Sequence, residues 1–244
     1  MKVRLFAAIF LVLTMNLPAQ NPGRLAPGDL GFIHLLGIGE FATLEAEMAI
    51  STSSGTVTRG VQVYLQNDGE TRQVFARITD PPFLTRTRFL YIDRGQGRIT
   101  RWIANSQGVR RIADSNTEER IFGSDFTAQD LSFLDMNEME IRELPSAEDR
   151  LQLFLVADPA GVYPDRRITY DIVKGLAMEV SYLRGTETVK RYRVLETRES
   201  GGAVFPSRAE MADLEGNTHT LVTISAIDNT TPIPPRIFNR ASLQ

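Results

Sequence analysis

IFGSDFTAQDL, residues Ile121–Leu131, is the stretch on which the reading of this chain turns. It is a complete helix start set between two long runs of β-type sequence. Thr127 is placed as an N-cap, and Asp130 three residues on completes a capping box. Phe126 before the cap and Leu131 four residues after it are spaced as a hydrophobic staple. The helix is expected to run from Thr127 to about Asn137. One apolar helix end among many strands needs a sheet to lie against, so the segment predicts a helix covering a sheet.

Outward from it the dominant period is two. Leu44, Ala46, Met48 and Ile50 alternate with Glu45, Glu47, Ala49 and Ser51, the pattern of a half-buried strand. Ser53-Ser54-Gly55 turns the chain, and Val57, Arg59, Val61, Val63 and Leu65 then share a face. Asn67-Asp68-Gly69 predicts a tight hairpin, because Asp-Gly suits left-handed turn torsions. Arg72–Thr79 returns and Asp80-Pro81-Pro82 stops it. Further strands are expected at Thr87–Ile92, Arg98–Ile103, Leu151–Val156, Ile168–Val173, Met178–Leu183, Val189–Glu196 and Thr218–Ile227. Short strands joined by tight turns describe an antiparallel meander, and no βαβ alternation is present. A second helix is expected from Asp29 through Ile33 and Leu36, stopped by Gly37 and Gly39. The expected class is mainly β (α+β): a large antiparallel sheet with one or two helices covering a face.

Lys2 and Arg4 precede an apolar run from Leu5 to Met15, then Pro18 and Ala19, so residues 1–19 read as a signal peptide. The run is too short for a membrane span of about 20 residues. The remaining residues 20–244 read as one domain. The chain has no cysteine, which excludes disulfides, thiolate metal sites and a lipid-modified cysteine. An exported protein without disulfides fits a bacterial periplasm. A net charge of −3 and a hydrophobic content of 42% give no sign of nucleic-acid binding.

Charge is unevenly placed. Arginines recur from Arg59 to Arg120, and acids dominate from Asp125 to Asp165. The basic strands either face an anionic partner or lie on a solvated sheet face and pair with the acidic segment; the second is the ordinary reading. Catalytic chemistry is hard to find. His34 and His219 have no second ligand at metal spacing. Gly123-Ser124-Asp125 lacks the flanks of a nucleophile elbow and reads as the turn feeding the helix. Gly37-Ile38-Gly39 is half a dinucleotide fingerprint without its third glycine, and reads as a helix stop. The carboxylates of Glu138 to Glu148 read as solvated charge.

Four segments, in order, resemble the outer-membrane lipoprotein-sorting-like proteins, relatives of the periplasmic carriers LolA and LolB. They are ARITDPPFLTRTRFLYI (Ala76–Ile92), GSDFTAQDL (Gly123–Leu131), FPSRAEMADLEGNTHTLV (Phe205–Val222) and NTTPIPPRIFNRASL (Asn229–Leu243). Two departures stand out. A Trp-x-Tyr-x-Pro stretch is replaced by Trp102-Ile103-Ala104-Asn105-Ser106, and the lipoprotein cysteine of many members is missing.

The resemblance implies a strongly curved sheet, an incomplete barrel, with one or two helices on its concave side and an apolar cavity between them for acyl chains. It implies Phe126 and Leu131 as lid or wall, with Met48, Val63, Phe89 and Trp102 as lining residues; ordinary core is the alternative for each. Strand alternation alone does not say which apolar face is concave. The expected function is a non-enzymatic, monomeric periplasmic carrier of lipid or lipoprotein acyl chains, without cofactor or metal. Its implied partners are an inner-membrane transporter or an outer-membrane acceptor protein. The alternatives are a protein-interaction module, serving as an envelope sensor or as an accessory to a lipid-exporting transporter, and a lipid hydrolase.

Overall fold

Alternation of small or branched apolar residues with charged ones along β1 sets the centre of the molecule: Ala42, Leu44, Ala46, Met48 and Ile50 are buried while Glu45 and Glu47 are exposed. In the computed structural model the described residues are 23–27, 30, 37, 39–69, 71–132, 139–158 and 161–244. Among them thirteen strands form one antiparallel sheet: β1 Phe41–Thr52, β2 Gly55–Asn67, β3 Arg72–Asp80, β4 Arg88–Asp93, β5 Ile99–Asn105, β6 Gly108–Ile112, β7 Glu140–Leu144, β8 Leu151–Ala157, β9 Asp165–Asp171, β10 Leu176–Arg184, β11 Glu187–Ser200, β12 Ala203–Asp213 and β13 Thr218–Asp228. Their spatial order is β6-β5-β4-β3-β2-β1-β13-β12-β11-β10-β9-β8-β7.

The chain starts in the middle, meanders to the β6 edge, transfers to the β7 edge, and meanders back until β13 pairs with β1. The described residues of the transfer segment, 113–132 and 139, therefore form a strap that crosses the sheet between its two edges. Its contacts record the crossing. Asp114 meets Arg101 of β5 at 3.0 Å, Asp125 meets Thr220 of β13 at 2.7 Å, Asp130 meets Lys190 of β11 at 2.5 Å, and Met139 Sδ accepts from Arg166 of β9 at 3.5 Å. Among its described residues the strap carries a short α-helix, α1 (Ala128–Ser132).

The strap lies on one face. There a continuous apolar cluster runs from Ile112 of β6 through Val74, Leu44, Met211, Val180 and Ile168 to Phe154 of β8, joined by Ile121, Phe122 and Ala128 of the strap. On the other face a second apolar cluster lies on the β1–β6 side, where Phe75, Leu90, Ile92 and Ala104 pack under Ile233, Phe238 and Leu243. Those three belong to the C-terminal tail, the NTTPIPPRIFNRASL segment, so its apolar residues are packing anchors. Strand β4 (RFLYID) is consequently buried on both faces: Phe89 and Tyr91 under the strap, Leu90 and Ile92 under the tail.

The mainly β, antiparallel expectation agrees with this architecture, but helix is scarcer than expected. Among the described residues α1 is the one α-helix. The expected continuation to Asn137, the expected helix from Asp29 to Leu36 and the signal peptide 1–19 fall largely or wholly outside the described residues. Three strands went unread in the sequence. Strands β6 (GVRRI) and β7 (EIREL) are the sheet edges, where charge replaces apolar alternation and blocks pairing with another chain. The third, β12, holds Pro206 beside a register shift, which masks a strand signal. The Asn67-Asp68-Gly69 hairpin forms with a wider connection than expected, Asp68 N donating to Thr71 O at 3.2 Å and Thr71 N to Asp68 Oδ1 at 2.6 Å.

Candidate functional site

The signature segment begins with a doubly left-handed turn. Phe122 has φ +57° and Gly123 φ +73°, and Phe122 is held there by burial and by the Ile121 N to Phe126 O bond of 2.8 Å. Ser124 is fully buried; its Oγ donates to Ile121 O at 2.6 Å and accepts from Phe126 N at 3.2 Å. The serine thus braces the turn, as its sequence context indicated.

Asp125 and Asp130 fasten the strap to the sheet. Asp125 Oδ2 accepts from Thr220 Oγ1 at 2.7 Å, Asp125 N donates to the same oxygen at 2.9 Å, and Thr218 Oγ1 donates to Asp125 Oδ1. Arg120 bridges Asp125 at 3.0 Å and Asp213 of β12 at 2.7 Å. Asp130 Oδ2 accepts from Thr127 N at 2.6 Å, which is the reaching-back half of the capping box. It also accepts from Thr127 Oγ1 at 3.0 Å and from Lys190 Nζ at 2.5 Å. The capping-box aspartate therefore doubles as the counter-ion of a buried lysine.

The receiving side of this latch is a cross-strand row. Arg166 of β9 pairs in register with Tyr182 of β10, Tyr182 with Lys190 of β11, Lys190 with Asp213 of β12, and Asp213 with Thr218 of β13. Cations stand over rings along it: Lys190 Nζ lies 5.5 Å from the Tyr182 centroid and 5.8 Å from that of Tyr163, and Arg166 lies 6.0 Å from Tyr182. Arg166, fully buried, is paired with Asp158 at 3.0 Å. Burial, reinforced by the negative charge of Asp130, holds the Tyr182 hydroxyl well above its usual range and pushes Tyr163 up to about 12. Both phenols stay neutral at physiological pH, so they act as fixed donors and packing surfaces. A polar mouth of about 160 Å³ opens beside the row, between Arg120, Thr127, Tyr163, Arg184 and Glu215.

Beyond the polar row the strapped face is mainly apolar, with the buried Arg72–Asp93 pair, Arg101 and Gln152 as polar exceptions. Met48, Val63 and Phe89 all lie on it, and Phe126 packs against it with its ring edge-on to Tyr192 at 6.5 Å. Leu131 is in α1, but its side chain lies outside the described residues. Trp102 is elsewhere: it packs on the tail face, under Arg240, whose guanidinium sits 4.5 Å above the ring. Trp102 follows a strand buried on both faces, so its apolar character carried no information about side. The apolar cavity of about 360 Å³ between Tyr64, Ala226, Ile233 and Pro234 touches none of the six residues named from sequence.

The arginines of Arg59–Arg120 do pair with acids, though mainly outside the Asp125–Asp165 segment: Arg72 with Asp93 at 3.0 Å, Arg101 with Asp114, and Arg110 with Glu119. Sequence reasoning did not single out Lys190, Tyr182, Arg166, Asp213, Thr218 and Thr220. One signal existed: Arg166, Ile168 and Tyr170 alternate onto one face, and a charge at an inward position needs a partner.

Residues 70–244 match the model of a "-like" family described as "Uncharacterized protein". No curated protein matches the chain. Among solved structures, the chain is similar to a "putative outer membrane lipoprotein-sorting protein domain" from Vibrio parahaemolyticus, with TM-score 0.75 and 17% identity over 83% of this chain and 91% of that one. It is similar to a DUF1329 family protein from Desulfovibrio piger, with TM-score 0.75 and 17% identity over 84% and 92%. It is also similar to a LolA superfamily protein from Nitrosomonas europaea, with TM-score 0.62 and 12% identity over 88% and 95%. At these identities the shared property is the fold.

Proposed function

The chain belongs to the family whose model its residues 70–244 match, and from that footing we propose that it is a non-enzymatic binder of lipid or lipoprotein acyl chains in the bacterial envelope. One observation carries this reading: a single apolar face extending across most of the sheet is closed by a crossing strap that polar contacts fasten. Apolar packing alone would make a permanent core. This strap is seated by Ile121, Phe122 and Ala128 and fastened by ion pairs and hydroxyls, and those polar contacts exchange for water at small net cost each when it lifts. Acyl chains entering beneath it gain roughly 0.8 kcal/mol per buried methylene.

Open sheets rarely pass about ten strands without curling, so this sheet is taken to curve around the strap as an incomplete barrel. The fold likeness to a domain named for lipoprotein sorting supports the same reading. The basic and then apolar residues 2–15 support export to the periplasm. Met48, Val63, Phe89, Phe126 and Leu131 then face the ligand, and an inner-membrane transporter or outer-membrane acceptor delivers or receives it.

The test is organic extraction of the purified protein followed by mass spectrometry, with an apolar fluorescent probe as a second readout. Co-purifying lipid and probe uptake support the reading; a lipid-free protein that also excludes the probe overturns it. Leu131→Arg is expected to abolish uptake with strand content intact, and uptake at the wild-type level would remove α1 from the lid.

A further inference from the structure

Ser207 on β12 is 3% exposed, and among the described residues its Oγ has no hydrogen-bond partner. A buried hydroxyl left unpaired is costly, so native structures seldom keep one without a use. Its position is set by two irregularities. The β11–β12 ladder skips it, passing from Glu196–Arg208 to Thr197–Pro206, and the β12–β13 ladder ends at Arg208–Thr223. Alternation with exposed Arg208 puts Ser207 on the side of buried Ala209 and Met211, which is the strapped face. Its buried neighbours along the same strand, Phe205 and Ala209, are apolar. The result is a buried hydroxyl without a hydrogen-bond partner among the described residues, flanked along its strand by buried apolar residues.

We propose that Ser207 Oγ donates a hydrogen bond to the carbonyl oxygen of an ester-linked acyl chain, fixing how far the chain slides along the strapped face. This rests on the acyl-binding reading and specifies its ligand: a carbonyl-bearing acyl ester is preferred over a plain alkyl chain. An ester carbonyl matches the site because it accepts a hydrogen bond and brings no donor or charge that would need a further partner in buried surroundings.

The experiment compares displacement of an apolar fluorescent probe by methyl palmitate and by hexadecane, in the wild-type protein and in Ser207→Ala and Ser207→Thr. Ser207→Ala is expected to weaken methyl palmitate by about two- to tenfold, the worth of one hydrogen bond, and to leave hexadecane unchanged. Ser207→Thr, which keeps the hydroxyl, is expected to restore the preference. Removing an unpaired buried hydroxyl should leave the unliganded protein as stable or more so, which separates a binding effect from misfolding. Equal affinities of the wild type for both compounds, or an equal loss of both in Ser207→Ala, overturns the assignment of Ser207. A wild type that binds neither compound overturns the acyl-binding reading along with it.

Discussion

Lys190 Nζ and Asp130 Oδ2 lie 2.5 Å apart with side chains only 3% and 5% exposed, so the helix cap of the strap and the middle of the sheet share one buried ion pair. The two residues are 60 positions apart in sequence. Burying such a pair is expensive in itself, and its presence is better explained by fixing where the strap sits than by stability.

Breaking the pair from one side should therefore cost more than deleting it. Asp130→Ala strands a buried ammonium and is expected to lose about 3–5 kcal/mol in urea denaturation, while Asp130→Leu with Lys190→Met recovers most of that loss. Equal destabilisation by the single and double variants would count against a buried, coupled pair.

The strap should open before the sheet unfolds. Asp125→Ala removes the acceptor of Thr218, Thr220 and Arg120 and is expected to cost about 2–3 kcal/mol. In native-state hydrogen exchange, amides of 121–130 should lose protection in that variant while those of β2 and β3 keep theirs. Uniform loss across the sheet would mean that strap and sheet form one cooperative unit.

Stability should fall at alkaline pH. The Tyr163 hydroxyl is raised from 10.0 to about 12, first by burial and then by the charge of Asp130, and Tyr182 is raised by the same causes in the same order. A group whose folded value exceeds its unfolded one contributes stability that is complete below the unfolded value and disappears as pH rises through the folded value. The melting temperature is thus expected to drop from about pH 10 upward, and Tyr182→Phe should flatten that slope. An unchanged slope would show that Tyr182 is not linked to folding.

Gly37 is expected to be irreplaceable. Its φ is +64°, and a Cβ there would lie 1.9 Å from the Val204 carbonyl oxygen of β12. Gly37→Ala should cost well over the roughly 1–2 kcal/mol of a left-handed alanine. Gly185→Ala, at φ +65° with nothing within 4 Å of the added carbon, should cost only that amount. Comparable losses at the two sites, read from denaturation midpoints, would show that the close approach to β12 is relieved at no cost.

The two faces should separate in binding. Trp102→Ala is expected to leave apolar-probe uptake at the wild-type level, because the ring packs on the tail face with Arg240. Phe126→Ala, on the strapped face, should weaken uptake severalfold; the reverse ranking would move the binding face.

Much of the sheet was legible because a half-buried strand writes its own period. Strands β1, β2, β3, β5 and β13 show it, and their expected limits fall near the observed ones. The edges were not legible, since β6 and β7 have charge where the pattern looks for apolar residues. In β9 the strand begins at Asp165, ahead of the expected Ile168, and that difference hid the buried Arg166. The signature segment was read correctly as a turn and a helix start. Its contacts with Thr220 and Lys190 were invisible, because they lie 95 and 60 residues away.

By itself the sequence determined an antiparallel β protein, the turn at Ser124 and the helix beginning at Ala128, because each depends on neighbours a few residues apart. Tertiary structure alone decided that the segment is a strap, that Asp125 and Asp130 fasten it, and that Trp102 lies on the far side from Phe89. Period-two alternation sorts residues into two sets, but a strand such as β4, apolar on both, gives no reason to prefer either face. Strand order and the path of the crossing chain supply that reason, and both are settled only when β13 returns to pair with β1.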